Sequence, residues 1–186
     1  MDVKLDNDQY TCLFETPIGE MILAHNSTEI ISLLFADSLS YSTPIEHYTN
    51  SSNKHTIVNI VNSQVKEYFE GIRTTFDIPI TTQGTFFQQN VWNKLNDIPY
   101  GETISYGKLA KELGDLKASR AVASANARNQ VMIIIPCHRV ISQTGNLAGY
   151  VGGIERKRWL ISHEQSNCKK GRLLFYDSFH SSKFRA

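Results

Sequence analysis

The sequence predicts a small α/β domain followed by a mainly α-helical domain that contains a helix-turn-helix. β-forming residues cluster between residues 10 and 35, whereas from residue 85 onward apolar residues recur at helical spacing. The charge divides in the same way, with 4 Lys and Arg against 11 Asp and Glu in residues 1–82, and 15 against 7 in residues 83–186. We therefore place a domain boundary between residues 82 and 83 and expect the basic part to face a polyanion; the alternative is that the two oppositely charged domains attract each other.

The composition is that of an ordinary globular protein, with 41% apolar and 20% charged residues in 186. The first residues are acidic, and no apolar stretch approaches the roughly 18 residues of a membrane span. Cys12, Cys137 and Cys168 are odd in number and far apart, which argues against a disulfide framework. We expect a cytoplasmic protein, or a nuclear one in a eukaryote, without membrane contact.

The acidic part predicts a three-stranded meander followed by a helix. Polar residues 38–55 indicate a loop, and the apolar spacing from Ile57 predicts a helix that ends near Gly71. Residues 76–80 predict one more short strand. The three strands of the meander are expected at residues 10–14, 21–24 and 30–35, with turns at 16–19 and 25–27.

The basic part begins with a capping box. Thr85 and Gln88 have the spacing of this motif and predict a helix that Pro99 stops. The apolar face of this helix is expected to comprise Phe87, Val91 and Leu95.

Two short helices follow, and together they predict the helix-turn-helix. Ser105 is a candidate N-cap for the first, which Gly114 ends, and the second spans about residues 117–128. The second helix is rich in small residues and carries Arg120 and Arg128. Any small helical bundle contains similar hairpins, so this pattern alone does not settle DNA binding.

The remaining segments surround a cysteine. Residues 131–135 are too apolar to be exposed and predict a buried strand that ends at Pro136. A glycine-rich loop at 145–153 then leads into a last helix over about 154–164, in which Trp159 and Leu160 can pack.

Cys137 and His138 are the candidate chemical groups. A thiol of ordinary pKa is only a few per cent thiolate at neutral pH, so a nucleophilic cysteine needs a base or a positive environment. An isolated Cys-His pair is more often a buried cysteine beside a surface histidine. The surrounding motifs are needed to decide between these alternatives.

Those motifs occur in a fixed order between residues 85 and 164. They are Phe87 with Val91 and Trp92, residues 101–110, residues 119–122, Asn129, residues 136–140, residues 149–153, and Trp159 and Leu160 with His163 and Glu164. In these motifs and their order the chain resembles the O6-alkylguanine-DNA alkyltransferase family. Residues 1–80 resemble it more weakly, mainly at 16–19.

The resemblance implies a fold and a reaction. The first domain would be ribonuclease-H-like, and the second would carry a winged helix-turn-helix. The reaction would be direct reversal of DNA damage, an irreversible single-turnover transfer of the alkyl group from O6-alkylguanine, and less readily from O4-alkylthymine, to Cys137. We expect a monomer without cofactor or metal.

The resemblance also implies roles for five catalytic residues. Cys137 would attack the alkyl carbon, and His138, acting through water, would be the base that makes the thiolate. Glu164 would orient that histidine. Tyr106 would donate a hydrogen bond to the leaving guanine, and Asn129 would tie the helix-turn-helix to the active-site turn.

Further residues would hold the DNA and the flipped base. Arg120 would fill the space that the flipped nucleotide leaves, and the helix around it would lie in the minor groove of double-stranded DNA. The expected DNA contacts are Arg120, Tyr106, Ala121, Ser119 and Arg128. The expected walls of the pocket for the alkylated base are Tyr150, Val151, Gly152, Gly149 and Pro136.

The sequence departs from the family pattern in three places. Gln130 stands where the family often has proline, so the entry to the core segment is less rigid. No Cys/His set occurs at the N-terminal positions where some relatives bind a structural zinc. Two other sets of residues could suggest a metal, but neither has the spacing of a structural zinc site. These sets are Cys12, His25, His47 and His55, and Cys137, His138, His163 and Cys168. Residues 165–186 extend beyond the usual end and either pack on the domain or add phosphate contacts through Lys169, Lys170, Arg172, Lys183 and Arg185.

Two other classes of function stay open. A relative that binds alkylated bases without reacting would flip the base, but such proteins typically have tryptophan in place of the nucleophile. A helix-turn-helix regulator or a thiol hydrolase with a fortuitous Cys-His pair would leave Tyr106, Asn129, Arg120 and the glycine loop unexplained.

Overall fold

The computed structural model of the protein describes the backbone of residues 3–5, 9–38, 49–50, 56–147 and 149–181, and the side chains of residues 9–38, 56–147 and 149–168. The predicted meander is confirmed, and two short strands pair with its first strand. The five strands are β1 (Val3–Leu5), β2 (Gln9–Thr16), β3 (Gly19–His25), β4 (Ile30–Phe35) and β5 (Thr49–Asn50). Most of the predicted loop at 38–55 lies outside the described residues.

The predicted first helix is α1 (Thr56–Phe69), and Gly71 follows it with a φ of 74°. The predicted strand at 76–80 is wrong. The segment makes one isolated bridge, in which Ile30 donates to the carbonyl of Pro79 and Thr81 donates to the carbonyl of Ile30. Pro79 lacks the N–H that a continuous ladder would use.

The capping box opens α2 (Phe86–Leu95), with both of its hydrogen bonds present. The predicted apolar face is partly wrong, because Phe87 is 40% exposed. Trp92 is buried instead, and its Nε1 donates to the carbonyl of Ala125 at 2.9 Å. The contact between α2 and the second helix of the helix-turn-helix therefore sets which side of α2 is buried.

The helix-turn-helix consists of α3 (Tyr106–Glu112) and α4 (Ser119–Ala127), joined by a 3-10 turn at Leu116–Ala118. Ser105 caps α3 as predicted, since its hydroxyl accepts from the Lys108 amide at 3.1 Å. Two short parallel strands, β6 (Ile104–Ser105) and β7 (Val140–Ile141), join the start of α3 to the segment after Cys137.

Residues 131–135 are buried as predicted but do not form a strand. Val131 makes one bridge to Leu33 of β4, after which the chain turns through Ile133, whose φ is 73°. The side chain of Asn129 accepts from the Val131 amide at 2.9 Å, so a side chain rather than a neighbouring strand satisfies this one amide. The segment thus joins the helical part to the edge of the sheet.

The last helix, α5 (Ile154–Ser181), continues well beyond the predicted end at Glu164. It includes most of the extension at 165–186, although the five basic side chains named there lie outside the described side chains. Within the described part of the chain, no helix is both long enough and apolar enough to cross a membrane. The predicted fold class, a small sheet domain followed by a helical domain, is confirmed.

Candidate active site

Cys137 is the first residue of a buried 3-10 turn that follows Pro136. The turn is held by Asn129, whose Nδ2 donates to the carbonyl of Ile135 at 2.9 Å and lies 3.0 Å from the Sγ of Cys137. Only 3% of Cys137 is exposed. One amide side chain therefore fixes both the turn and the sulfur.

The thiol of Cys137 is protonated in this environment. Burial raises its pKa to about 11, although the hydrogen bond from Asn129 and the charge of Lys157 act in the opposite direction. A thiol of that pKa is thiolate to about one part in ten thousand at pH 7. The cysteine needs a base or an added positive influence before it can attack.

His138 lies next to the cysteine and is fully buried. Its Nε2 is 2.8 Å from the Oε1 of Glu164, and among the described residues its Nδ1 has no hydrogen-bond partner. Burial lowers the pKa of His138, while Glu164 raises it. Because a carboxylate accepts, Nε2 carries the proton and Nδ1 of the neutral ring is the basic atom.

Glu164 is enclosed by donors. Burial alone would raise its pKa, but His138 and Arg139 lower it to about 2. The carboxylate is therefore charged and fixed. The donors are the Tyr68 hydroxyl at 2.8 Å, the Gly101 amide at 3.0 Å, His138 Nε2 at 2.8 Å, and Arg139 Nε and Nη2 at 2.9 and 3.0 Å.

Lys157 is a second buried charge near the sulfur. Its Nζ donates to the carbonyl of Val140 at 2.6 Å and to that of Gly149 at 3.4 Å, and it lies 5.9 Å from the centre of the Tyr106 ring. Burial lowers the pKa of Lys157 to about 8, and Cys137 acts to raise it. The cation therefore touches the glycine loop and also influences the thiol.

Cys137 opens onto a narrow cavity of about 10 Å³, which is room for roughly one water molecule. Of the five predicted pocket residues, Gly149, Tyr150 and Val151 line it. Gly152 lies behind this wall, where a Cβ atom would come within 2.8 Å of the Phe35 ring. Pro136 lines a different cavity, of about 360 Å³, together with Ile134 and Arg139.

Tyr106 stands at the start of α3, near the same cavity. Its pKa is raised by burial and by Cys137, and a hydrogen bond with Asn126 partly offsets this. Asn126 lines the cavity, and its Nδ2 donates to the carbonyl of Cys137 at 3.3 Å.

The residues predicted to contact DNA lie on or beside α4. Arg120, Ala121 and Arg128 are exposed, and Ser119 is half-buried. Ala127, at the end of the same helix, is exposed and also lines the cavity of Cys137. The exposed face of α4 therefore borders the opening that leads to the sulfur.

Four residues of the site were missed by the sequence reasoning: Tyr68, Asn126, Arg139 and Lys157. The clearest available signal concerned Lys157, which lies on one helical face with Leu160 and Glu164. A lysine on that face had to be buried with them. Neither set of residues weighed as a metal site gathers into a ligand group among the described side chains, and His47 and His55 lie outside them.

The amino-acid sequence matches two family models that share one family name. Residues 10–82 match the ribonuclease-like domain of 6-O-methylguanine DNA methyltransferase, and residues 86–166 match its DNA-binding domain.

Curated relatives and solved structures give the same result. A Methanosarcina acetivorans protein named methylated-DNA–protein-cysteine methyltransferase is 40% identical over 84% of this chain and 99% of its own, and a constitutive Bacillus subtilis protein of that name is 41% identical over 87% and 98%. The crystal structure of Mycobacterium tuberculosis O6-methylguanine methyltransferase superposes with a TM-score of 0.77 at 40% identity, covering 86% of this chain and 94% of that one. A structure of the mycobacterial OGT in complex with DNA gives 0.76 at 40% identity, over 84% and 93%.

Proposed function

The chain belongs to the 6-O-methylguanine DNA methyltransferase family, and on that premise we propose that Cys137 is the residue that takes the alkyl group from DNA. The protein is a single-turnover enzyme of direct damage reversal. The observation that carries the assignment is the fixed position of Cys137, held by Asn129 and adjacent to the His138–Glu164 pair.

The reaction is an in-line displacement. The Cys137 sulfur forms a bond to the alkyl carbon while the bond from that carbon to O6 of guanine breaks, and the electron pair of the broken bond stays with the base. Nδ1 of His138 takes the thiol proton by way of a water molecule, and Glu164 stabilises the imidazolium that results. Tyr106 donates a hydrogen bond to the leaving guanine. A thioether has no route back to the thiol in this site, so each chain reacts once.

DNA is the partner, and we place an alkylated base, flipped out of the duplex, in the cavity beside Cys137. The exposed face of α4, with Arg120, Ala121 and Arg128, would enter the minor groove, where small side chains permit close approach. Ser119 would contact the backbone, and Arg120 would fill the vacated position in the stack. One monomer suffices, because every proposed group comes from one chain.

The domain boundary and the compartment follow from the same proposal. Residues 1–82 would form the ribonuclease-like domain, and residues 83–186 would contain the reactive site. Since its substrate is genomic DNA, the protein would work in the cytoplasm of a prokaryote or the nucleus of a eukaryote.

Mass spectrometry after incubation with a duplex containing O6-methylguanine tests the assignment. We expect one methyl group, about 14 Da, on the peptide that contains Cys137, and none on those with Cys12 or Cys168. Cys137→Ala should lose transfer but keep binding to the lesion. Methylation at another cysteine, or more than one turnover per chain, contradicts the assignment, and binding without any transfer by the native chain would favour the non-catalytic lesion binder.

A further inference from the structure

The wall of the cavity beside Cys137 is tied to the N-terminal sheet through one side chain, Arg156. Its Nη1 donates to the carbonyl of Gly152 at 3.0 Å, and its Nε donates to the carbonyl of Ile18, between β2 and β3, at 2.7 Å. Asp37, just after β4, accepts from both terminal nitrogens at 2.8 and 2.9 Å. Arg156 therefore joins three segments that are far apart in the chain.

The ring of Phe35 completes this junction. The guanidinium carbon of Arg156 lies 4.3 Å from the centre of the ring. The ring also packs on Gly152 so closely that a Cβ atom there would lie 2.8 Å from it and 2.7 Å from Tyr150. The backbone at Gly152 is thus held between a hydrogen bond from Arg156 and a side chain of the sheet.

We propose that Arg156 is a positioning residue for alkyl transfer, which uses Asp37 and the N-terminal sheet to fix the end of the loop that covers Cys137. The proposal rests on the function assigned to Cys137 above. Arg156 does not line the cavity, so it acts through Gly152 and, beyond it, Tyr150.

The size of the cavity explains why such an anchor is needed. A space of about 10 Å³ cannot hold a purine, so Tyr150 and Val151 have to move when a base enters. Lys157 holds the loop at Gly149 and Arg156 holds it at Gly152, so the segment between these points can yield while its ends stay in place. A displaced wall would then return against the base in one defined position.

The test compares Arg156→Met with Arg158→Met. Arg158 lies two residues further along the same helix, where it pairs with Glu155 at the surface. The first readout is the rate of transfer to Cys137 from free O6-benzylguanine, which needs no DNA. We expect Arg156→Met to lower this rate about tenfold, as misplacement of a reacting group does, and Arg158→Met to leave it unchanged.

The second readout is labelling by iodoacetamide, which needs no alkylguanine and is followed peptide by peptide. Cys12 is 1% exposed in the sheet and reports general unfolding, whereas Cys137 reports the loop. We expect Arg156→Met to speed labelling of Cys137 severalfold relative to Cys12. This readout does not depend on the alkyl donor. A native chain that fails to transfer alkyl groups would therefore refute the proposed function, while the labelling would still test whether Arg156 anchors the loop.

Asp37→Asn and Arg156→Lys refine the result. If Asp37 acts through Arg156, the double variant Asp37→Asn with Arg156→Met should lose no more of the transfer rate than Arg156→Met alone. Arg156→Lys keeps the charge but not the planar fork, and it should recover part of the rate. Transfer at the native rate in Arg156→Met overturns the proposal, and so does equal acceleration of labelling at Cys12 and Cys137.

Discussion

Cys137 lies between two walls that are built in opposite ways. On one side, Glu164 is 1% exposed and accepts from five donors contributed by three separate segments of the chain. On the other side, the loop at 149–153 exposes 48% of Val151 and is held near its ends by Lys157 and Arg156.

The difference matches what each wall has to do. The side of Glu164 sets the protonation and orientation of His138. The hydrogen bonds that both oxygens of Glu164 accept keep these fixed. The loop side has to admit a base larger than the resting cavity, so part of it must be free to move. The groups that activate the thiol therefore lie on the fixed side, and the residues that have to move when a base enters lie on the loop side.

The largest expected effect comes from breaking the rigid wall. Glu164→Gln places an amide N–H against donors that need an acceptor, so we expect a loss of about 3–5 kcal/mol in the free energy of unfolding, measured by urea denaturation. Glu155→Gln, at the exposed start of the same helix, should change it by less than about 0.5 kcal/mol. Similar losses in both variants would mean that the hydrogen bonds around Glu164 do not contribute this stability.

Acid should weaken the same wall. The pKa of Glu164 is about 2 in the folded protein against an ordinary 4.5, so its contribution is complete above about pH 4.5 and is lost as the pH falls toward 2. Urea midpoints measured from pH 7 to pH 3 should therefore show a loss of about 2 kcal/mol that is missing in Glu164→Gln. An identical pH dependence in the variant would contradict this origin.

The loop side should respond through charge as well as through access. Lys157→Met removes a cation that lowers the pKa of Cys137, so the pH profile of iodoacetamide labelling should move to higher pH, while Lys157→Arg should restore it in part. The position of the profile reports charge, and its height reports access to the sulfur. A profile that changes in height alone would assign Lys157 to the loop and not to the thiol.

The smallest effect is expected outside both walls, at the DNA face. Arg120→Ala should slow transfer from duplex DNA severalfold and leave transfer from free O6-benzylguanine unchanged, because the residue is exposed on α4. As a control, Arg73→Ala removes one positive charge from the first domain and should leave transfer from both substrates unchanged. If Arg120→Ala slows both substrates equally, the residue supports the fold and does not hold a flipped nucleotide.

Local signals in the sequence were sufficient for elements that are stabilised locally. Thr85 and Gln88 cap α2 as their spacing predicts, and the meander follows its turn residues. Residues 131–135 were predicted as a strand because their apolar run implied burial, and burial alone does not distinguish a strand from a buried turn. The hydrogen bonds of Asn129 made the turn possible.

Contacts between distant segments could not be predicted from local signals in the sequence. The hydroxyl of Tyr68 reaches Glu164 across 96 residues of chain, and Arg156 reaches Asp37 across 119. Tyr68 continues the apolar spacing from Ile57 that predicts α1, but its polar partner depends on how the sheet domain packs against α5. Motif order predicted the catalytic residues, whereas the enclosure of Glu164 and the anchoring of the loop emerge from packing.

The closed cavity has a consequence for the long interval before a lesion is met. A protein that can be used once must keep its reagent intact, and peroxides and stray electrophiles attack thiolates in preference to thiols. Cys137 rests as a thiol under a cover that leaves room for about one water molecule, whereas Cys168 is exposed. The resting fold therefore protects the unreacted thiol. The closed loop determines how long Cys137 escapes oxidation or reaction with a stray electrophile.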